Sequence, residues 1–139
     1  MGRLYAIRGA RKAFDAVAIH PYGRRPKDVL AATLQARRLM NRHHDRRTPL
    51  WITELGWSTG GVHWGRAPFK ATEPQQAKWL RVTYRRLLHA RARLRLERLV
   101  WHTWGDYEYP GSPWIFHMGL IRSDDSAKPS LAAFAGVAR

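Results

Sequence analysis

Pro49-Leu50-Trp51-Ile52-Thr53-Glu54-Leu55-Gly56-Trp57 is the stretch on which the fold turns. A short apolar run bounded by proline and glycine reads as a buried strand over residues 50–55. A carboxylate inside such a run is costly to bury unless the fold uses it. The strand tip therefore opens into a cleft where Glu54 works, or the strand reading fails. By strict alternation Glu54 shares a face with Ile52 and Leu50.

Upstream, residues 14–23 form a second apolar run, which Pro21 and Gly23 terminate. As a strand it puts His20 on one face with Ala18 and Ala16, and Val17 and Ile19 on the other. Between the two runs, residues 26–42 carry Val29, Leu30, Thr33, Leu34, Ala36 and Met40 at helical spacing. Residues 3–13 read as the end of a helix that stops around Gly9.

Downstream comes a long Gly-rich loop, residues 56–71, holding Trp57, His63 and Trp64. Connections of that length are usually functional when they occur in compact domains. Thr72, Pro74 and Gln75 supply an N-cap, a first-turn proline and a capping-box partner for a helix expected to run to about Arg93. Residues 99–104 read as the third strand, and a second long loop covers residues 107–126 with Tyr109, Trp114 and Phe116. A final helix starts at Lys128-Pro129-Ser130 and passes through Leu131, Phe134 and Val137.

Alternating strands and helices predict an α/β fold with parallel strands and crossover helices. The long loops follow strands, the asymmetry of a (β/α) barrel whose site lies at the carboxyl ends of its strands. A doubly wound sheet obeys the same rule, but the chain has no glycine-rich phosphate fingerprint.

At 139 residues the chain is one domain or part of one. It has no cysteine, so disulfides, thiolate metal sites and cysteine nucleophiles are excluded. Residues 1–8 show no signal peptide and no membrane span, and the compartment is left open. The formal charge of +15 raises nucleic acid as a partner. Of the 25 basic residues only Arg122, Lys128 and Arg139 lie beyond residue 100, facing four acids there. Most of the others fall on the outer faces of expected helices, which supports only a non-specific term. A basic nucleic-acid-binding module stays as an alternative, as does a non-catalytic remnant of an enzyme.

Three segments together carry a resemblance: residues 15–23 (DAVAIHPYG), 49–57 (PLWITELGW) and 99–106 (LVWHTWGD). They resemble strands six, seven and eight of the clan A glycoside hydrolases, the β-xylosidase and cellulase-like superfamily of (β/α)8 barrels. Met118-Gly119-Leu120-Ile121 and residues 128–134 (KPSLAAF) are similar to the ending of those barrels, so the likeness spans nearly the whole chain. It implies that residues 1–139 are a C-terminal fragment of a barrel that hydrolyses O-glycosyl bonds with retention.

By that resemblance Glu54 matches the nucleophile. His20 and Tyr22 match the residues of strand six that line the sugar site, where the tyrosine hydroxyl bonds the nucleophile. Trp104 matches the aromatic floor of the sugar subsite. Retaining enzymes need a second carboxyl group ~5–5.5 Å from the first to protonate the leaving oxygen. In the family it follows an asparagine on strand four, and this sequence has no Asn-Glu pair. Asp106 and Glu108 are expected to reach sugar hydroxyls at best. The implied partners are a carbohydrate substrate and either a second copy of the chain or the missing N-terminal half of the barrel. Alone, the chain is expected to be inactive.

Structural alternatives stand beside these roles. Glu54 is also readable as a carboxylate paired with a basic neighbour, and His20 as a strand-end histidine. Trp101 opposes Trp104 in parity and is expected in the core, while Trp57, Trp64 and Trp114 are either loop packing or subsite walls. His43, His44, His63, His102 and His117 show no metal-ligand spacing, and no cofactor or metal is predicted.

Overall fold

The computed structural model describes residues 2–62 and 69–138. A helical turn α1 (Gly2–Tyr5) and a 3-10 turn (Ala10–Lys12) precede β1 (Val17–Ile19). Then follow α2 (Pro26–Arg42), β2 (Leu50–Ile52), α3 (Glu73–His89), a one-turn α4 (Arg91–Leu94), β3 (Leu96–Leu99) and α5 (Pro129–Ala135). The strands form one parallel sheet in the order β1-β2-β3.

Cross-strand register decides which side chains share a face. Val17, Leu50 and Leu96 are aligned, as are Ile19, Ile52 and Leu99. These rows face the helices, where Ile52 and Leu96 join Val29 of α2, Leu80 and Leu87 of α3, and Ala133 of α5 in one core. The intervening row is Ala18, Trp51 and Arg98. It is exposed or half-exposed, and the Arg98 guanidinium lies 5.9 Å from the centre of the Trp51 ring. Parallel sheets normally bury both faces, yet here helices cover one and leave the other open among the described residues.

The helix starts follow from local chemistry. Pro26 opens α2, and Asp28 Oδ2 accepts the Arg25 N–H at 2.9 Å. At α3, Thr72 Oγ1 accepts from Gln75 N (3.3 Å) while Gln75 Oε1 accepts from Thr72 N (3.1 Å), the reciprocal cap that the sequence predicts.

The third strand lies earlier than expected. The helix expected to reach Arg93 stops at His89, α4 follows, and Arg95 turns left-handed at φ 49°. The chain thus enters the sheet at Leu96, not Leu99. Pairing nonetheless continues beyond β3, because Val100 N–H donates to Ile52 O and His102 N–H to Leu55 O, both at 2.9 Å. Two steps along this segment therefore face three along the other. That extra residue shifts the side-chain parity by one. Leu55 takes the helix side, fully buried with Leu50 and Ile52, and Glu54 is released to the open side. The expectation that Glu54 shares their face is corrected by this bulge.

Both ends of the sheet are tied by buried polar groups. At the amino end, Arg37 donates from Nε to Leu94 O (2.8 Å) and from an Nη to Thr48 O (2.9 Å). Asp45 accepts there from Tyr5 O–H (2.6 Å) and Thr48 Oγ1 (2.5 Å). Burial pushes the Asp45 carboxyl up, but the bonds from Thr48 and Tyr5 and the charge of Arg37 outweigh it and hold it below the usual carboxylate range. At the carboxyl end, Lys128 is almost fully buried, 2.5 Å from Asp106 and donating to Thr59 Oγ1 at 2.8 Å. Asp106 also accepts from Gly119 N–H (2.7 Å). One ion pair thus joins the loop after β2, the loop after β3 and the start of α5.

Candidate functional site

The carboxyl ends of β1 and β2 bring His20, Tyr22, Thr53 and Glu54 together. Tyr22 O–H donates to Glu54 Oε2 at 2.9 Å. His20 Nδ1 faces the same oxygen at 3.4 Å, and its Nε2 lies 3.0 Å from Thr53 Oγ1. The Glu54 side chain is 33% exposed and that of His20 48%. Burial, then the bond to Glu54, lift the Tyr22 hydroxyl well above the ordinary tyrosine range, so it stays a donor at neutral pH. Pro21, between His20 and Tyr22 in sequence, is buried, and Tyr22 N–H closes a turn onto His20 O at 2.9 Å. Gly56 is required just past Glu54, because a Cβ there would run into the His102 carbonyl.

An aromatic wall stands behind Tyr22. Its ring centre is 5.4 Å from Phe69 and 6.4 Å from Trp114, and Phe69 and Trp114 are 5.2 Å apart. Of the three loop tryptophans weighed from the sequence, Trp114 therefore packs beside the site. Trp57 does not: it is fully buried, donating from Nε1 to Gly23 O at 2.8 Å and packing on Trp79 and Trp101. Trp64 and His63 lie outside the described residues. Phe69 is the member that sequence reading missed. The usable signal was its place at the end of the long loop after β2.

Trp104 follows the His102 pairing with Leu55 by two residues and is 64% exposed. Its carbonyl accepts from Leu120 N–H (2.8 Å) and Ile121 N–H (3.1 Å), which fixes the backbone while leaving the indole open. Trp101 is buried, donating to Met118 O at 2.9 Å, as parity predicts. Asp106 is committed to Lys128 and Gly119, a structural carboxylate rather than a sugar contact. Glu108 is exposed and accepts from Ser123 at 3.2 Å.

Two further histidines are held in contacts away from this site. His43 stacks on Tyr5 at 4.8 Å, and His117 is buried with Nε2 2.7 Å from Ser112 Oγ. Among the described residues, no cluster of three or more acidic or histidine side chains has the spacing to hold a metal, and no helix is long and apolar enough to cross a membrane.

No family model and no curated protein matches the sequence. Solved structures do match the fold. A family 39 glycoside hydrolase from Bacteroides cellulosilyticus superposes with a TM-score of 0.69 at 21% identity, over 93% of this chain and 28% of that one. A β-1,3-glucanosyltransferase from Rhizomucor miehei gives 0.61 at 18% identity, over 91% and 47%. A GH2 β-galacturonidase from Eisenbergiella tayi gives 0.64 at 14% identity, over 88% and 23%. The fold is thus related to that of glycoside hydrolases, and the chain spans between about a quarter and a half of the length of these structures.

Proposed function

We propose that this chain is the C-terminal part of a retaining clan A glycoside hydrolase barrel, with β1, β2 and β3 as strands six, seven and eight and Glu54 as the nucleophile. One observation carries the reading: two side chains from the end of β1 converge on a half-exposed carboxylate at the end of β2, in a sheet whose fold matches glycoside hydrolases.

The contacts differentiate the two carboxylate oxygens. Tyr22 and His20 both address Oε2, and among the described residues no hydrogen bond reaches Oε1. Oε1 is therefore the attacking atom. It forms a bond to the anomeric carbon as the bond to the leaving oxygen breaks, and that oxygen takes a proton from the acid/base carboxyl group. Water then attacks the same carbon, the resulting carboxylate acts as its base, and Glu54 is released. Tyr22 holds Oε2 while charge on the carboxylate falls and returns. Trp104 offers an open indole face suited to the apolar side of a sugar ring.

By the same resemblance the acid/base group belongs to strand four, outside residues 1–139, so the partner needed is the remainder of the barrel. Two features support such pairing. The outer edge of β3 is unpaired among the described residues, and a groove of about 370 Å³ beside it is lined by Tyr84, Leu88, Leu96, Phe134 and Val137. Self-association is the weaker option, since two copies at +15 repel.

The test joins this chain behind the preceding strands of a family 39 barrel and follows hydrolysis of aryl β-glycosides. Glu54→Gln lowers kcat by at least about a thousandfold if Glu54 is the nucleophile. Unchanged turnover in that variant assigns the chemistry elsewhere.

A further inference from the structure

We propose that Thr53 is a positioning residue for Glu54, acting through the imidazole of His20. This inference deepens the reading of Glu54 as a nucleophile and rests on it for its purpose, but its geometry stands independently of any substrate.

The donor count fixes the arrangement. An ionised carboxylate only accepts, so the imidazole nitrogen facing Glu54 Oε2 at 3.4 Å is favoured with its proton on. In neutral His20 that nitrogen is Nδ1. Nε2 is then left with a lone pair, and the group 3.0 Å away is the Thr53 hydroxyl, which can donate to it. The chain of contacts runs Thr53 Oγ–H to His20 Nε2, and His20 Nδ1–H to Glu54. Thr53 and Glu54 are adjacent in sequence, yet both reach the same ring because the bulge turns Glu54 onto the open side.

The Thr53 contact matters because His20 is half-exposed. A free imidazole of that exposure can flip about its χ2 bond and turn Cδ2 instead of Nδ1 toward the carboxylate. Thr53 anchors Nε2 on the side away from Oε2, and its branched Cβ restricts the hydroxyl to few rotamers. The ring is thereby held with Nδ1 toward the carboxylate, and Tyr22 is left to approach Oε2 from its own side at 2.9 Å. Oε1 stays free on the open side.

Nitrogen-15 correlation spectra of the His20 ring test this in the chain itself, at a pH well above the usual imidazole pKa of about 6.5. Wild type is expected to show the Nδ1–H tautomer. Thr53→Ser retains the hydroxyl and is expected to keep that tautomer. Thr53→Val removes it with little change of shape, and the ratio of Nδ1–H to Nε2–H should fall roughly five- to tenfold, about what one hydrogen bond is worth. Unchanged amide spectra away from the site would show that Thr53→Val is folded. Wild-type His20 as the Nε2–H tautomer, or the same ratio in Thr53→Val as in wild type, would overturn the proposal. So would Thr53-dependent burst release from p-nitrophenyl acetate, since it would make Thr53 a nucleophile instead. None of these readouts uses a glycoside, so the nucleophile reading of Glu54 stands or falls separately.

Discussion

Glu54 shows where sequence reading of a single residue succeeds and where it stops. The place of the carboxylate just past a short buried strand is legible from residues 49–57. Its orientation is not, because the extra residue between Ile52 and Leu55 leaves no trace in the hydrophobic alternation. Trp57 was equally ambiguous: a tryptophan after a strand suits a subsite or a core, and only the bonds to Gly23 and from Gln76 decide for the core. Tyr22 gives the prediction at this scale. Its hydroxyl is raised above the ordinary value of 10.0 by burial first and by Glu54 second. It should remain protonated in a spectroscopic titration through the range where free tyrosine ionises. Glu54→Gln should lower its midpoint without restoring the free value, because burial persists. A midpoint unmoved by that substitution would deny the bond. A raised folded pKa adds stability that is full below about pH 10 and is lost as pH rises through the folded value.

At the scale of elements, the helices were legible because their starts carry chemistry: Pro26 with Asp28, and Thr72 with Gln75. The start of β3 was not, because Arg95 adopts the left-handed conformation without glycine's usual signal. Nor does sequence separation of 22 residues advertise the Asp106–Lys128 pair that ties α5 to both long loops. Lys128→Met leaves Asp106 buried without its cation and should cost about 3–5 kcal/mol in chemical denaturation. A loss under ~1 kcal/mol would mean that water reaches the pair. In α3, the buried Tyr84 hydroxyl has no hydrogen-bond partner among the described residues, and burial raises its pKa. Tyr84→Phe should therefore stabilise the chain by about 1 kcal/mol, the cost of an unsatisfied buried hydroxyl, and should soften its alkaline unfolding. Destabilisation would reveal that the hydroxyl is satisfied in solution.

At the scale of the whole molecule, alternation and loop asymmetry pointed to parallel strands, and the sheet is parallel. What alternation could not encode is that the face carrying Ala18, Trp51 and Arg98 is left uncovered by helices among the described residues. The charge of +15 proved a poor guide to the site. Among the described residues most of the bases are exposed, on helices and loops alike, whereas Arg37 and Lys128 are buried to hold the two ends of the sheet. The central claim is that Glu54 forms a covalent bond to sugar, and it is tested most directly with a dinitrophenyl 2-deoxy-2-fluoroglycoside on this chain joined to the remaining barrel strands. That leaving group departs without a proton, so the first step depends on the nucleophile alone. Mass analysis of the digested protein should find one fluorosugar on the peptide holding Glu54, and none there in Glu54→Gln. Sugar attached to a different residue, with Glu54 unmodified, would contradict the account.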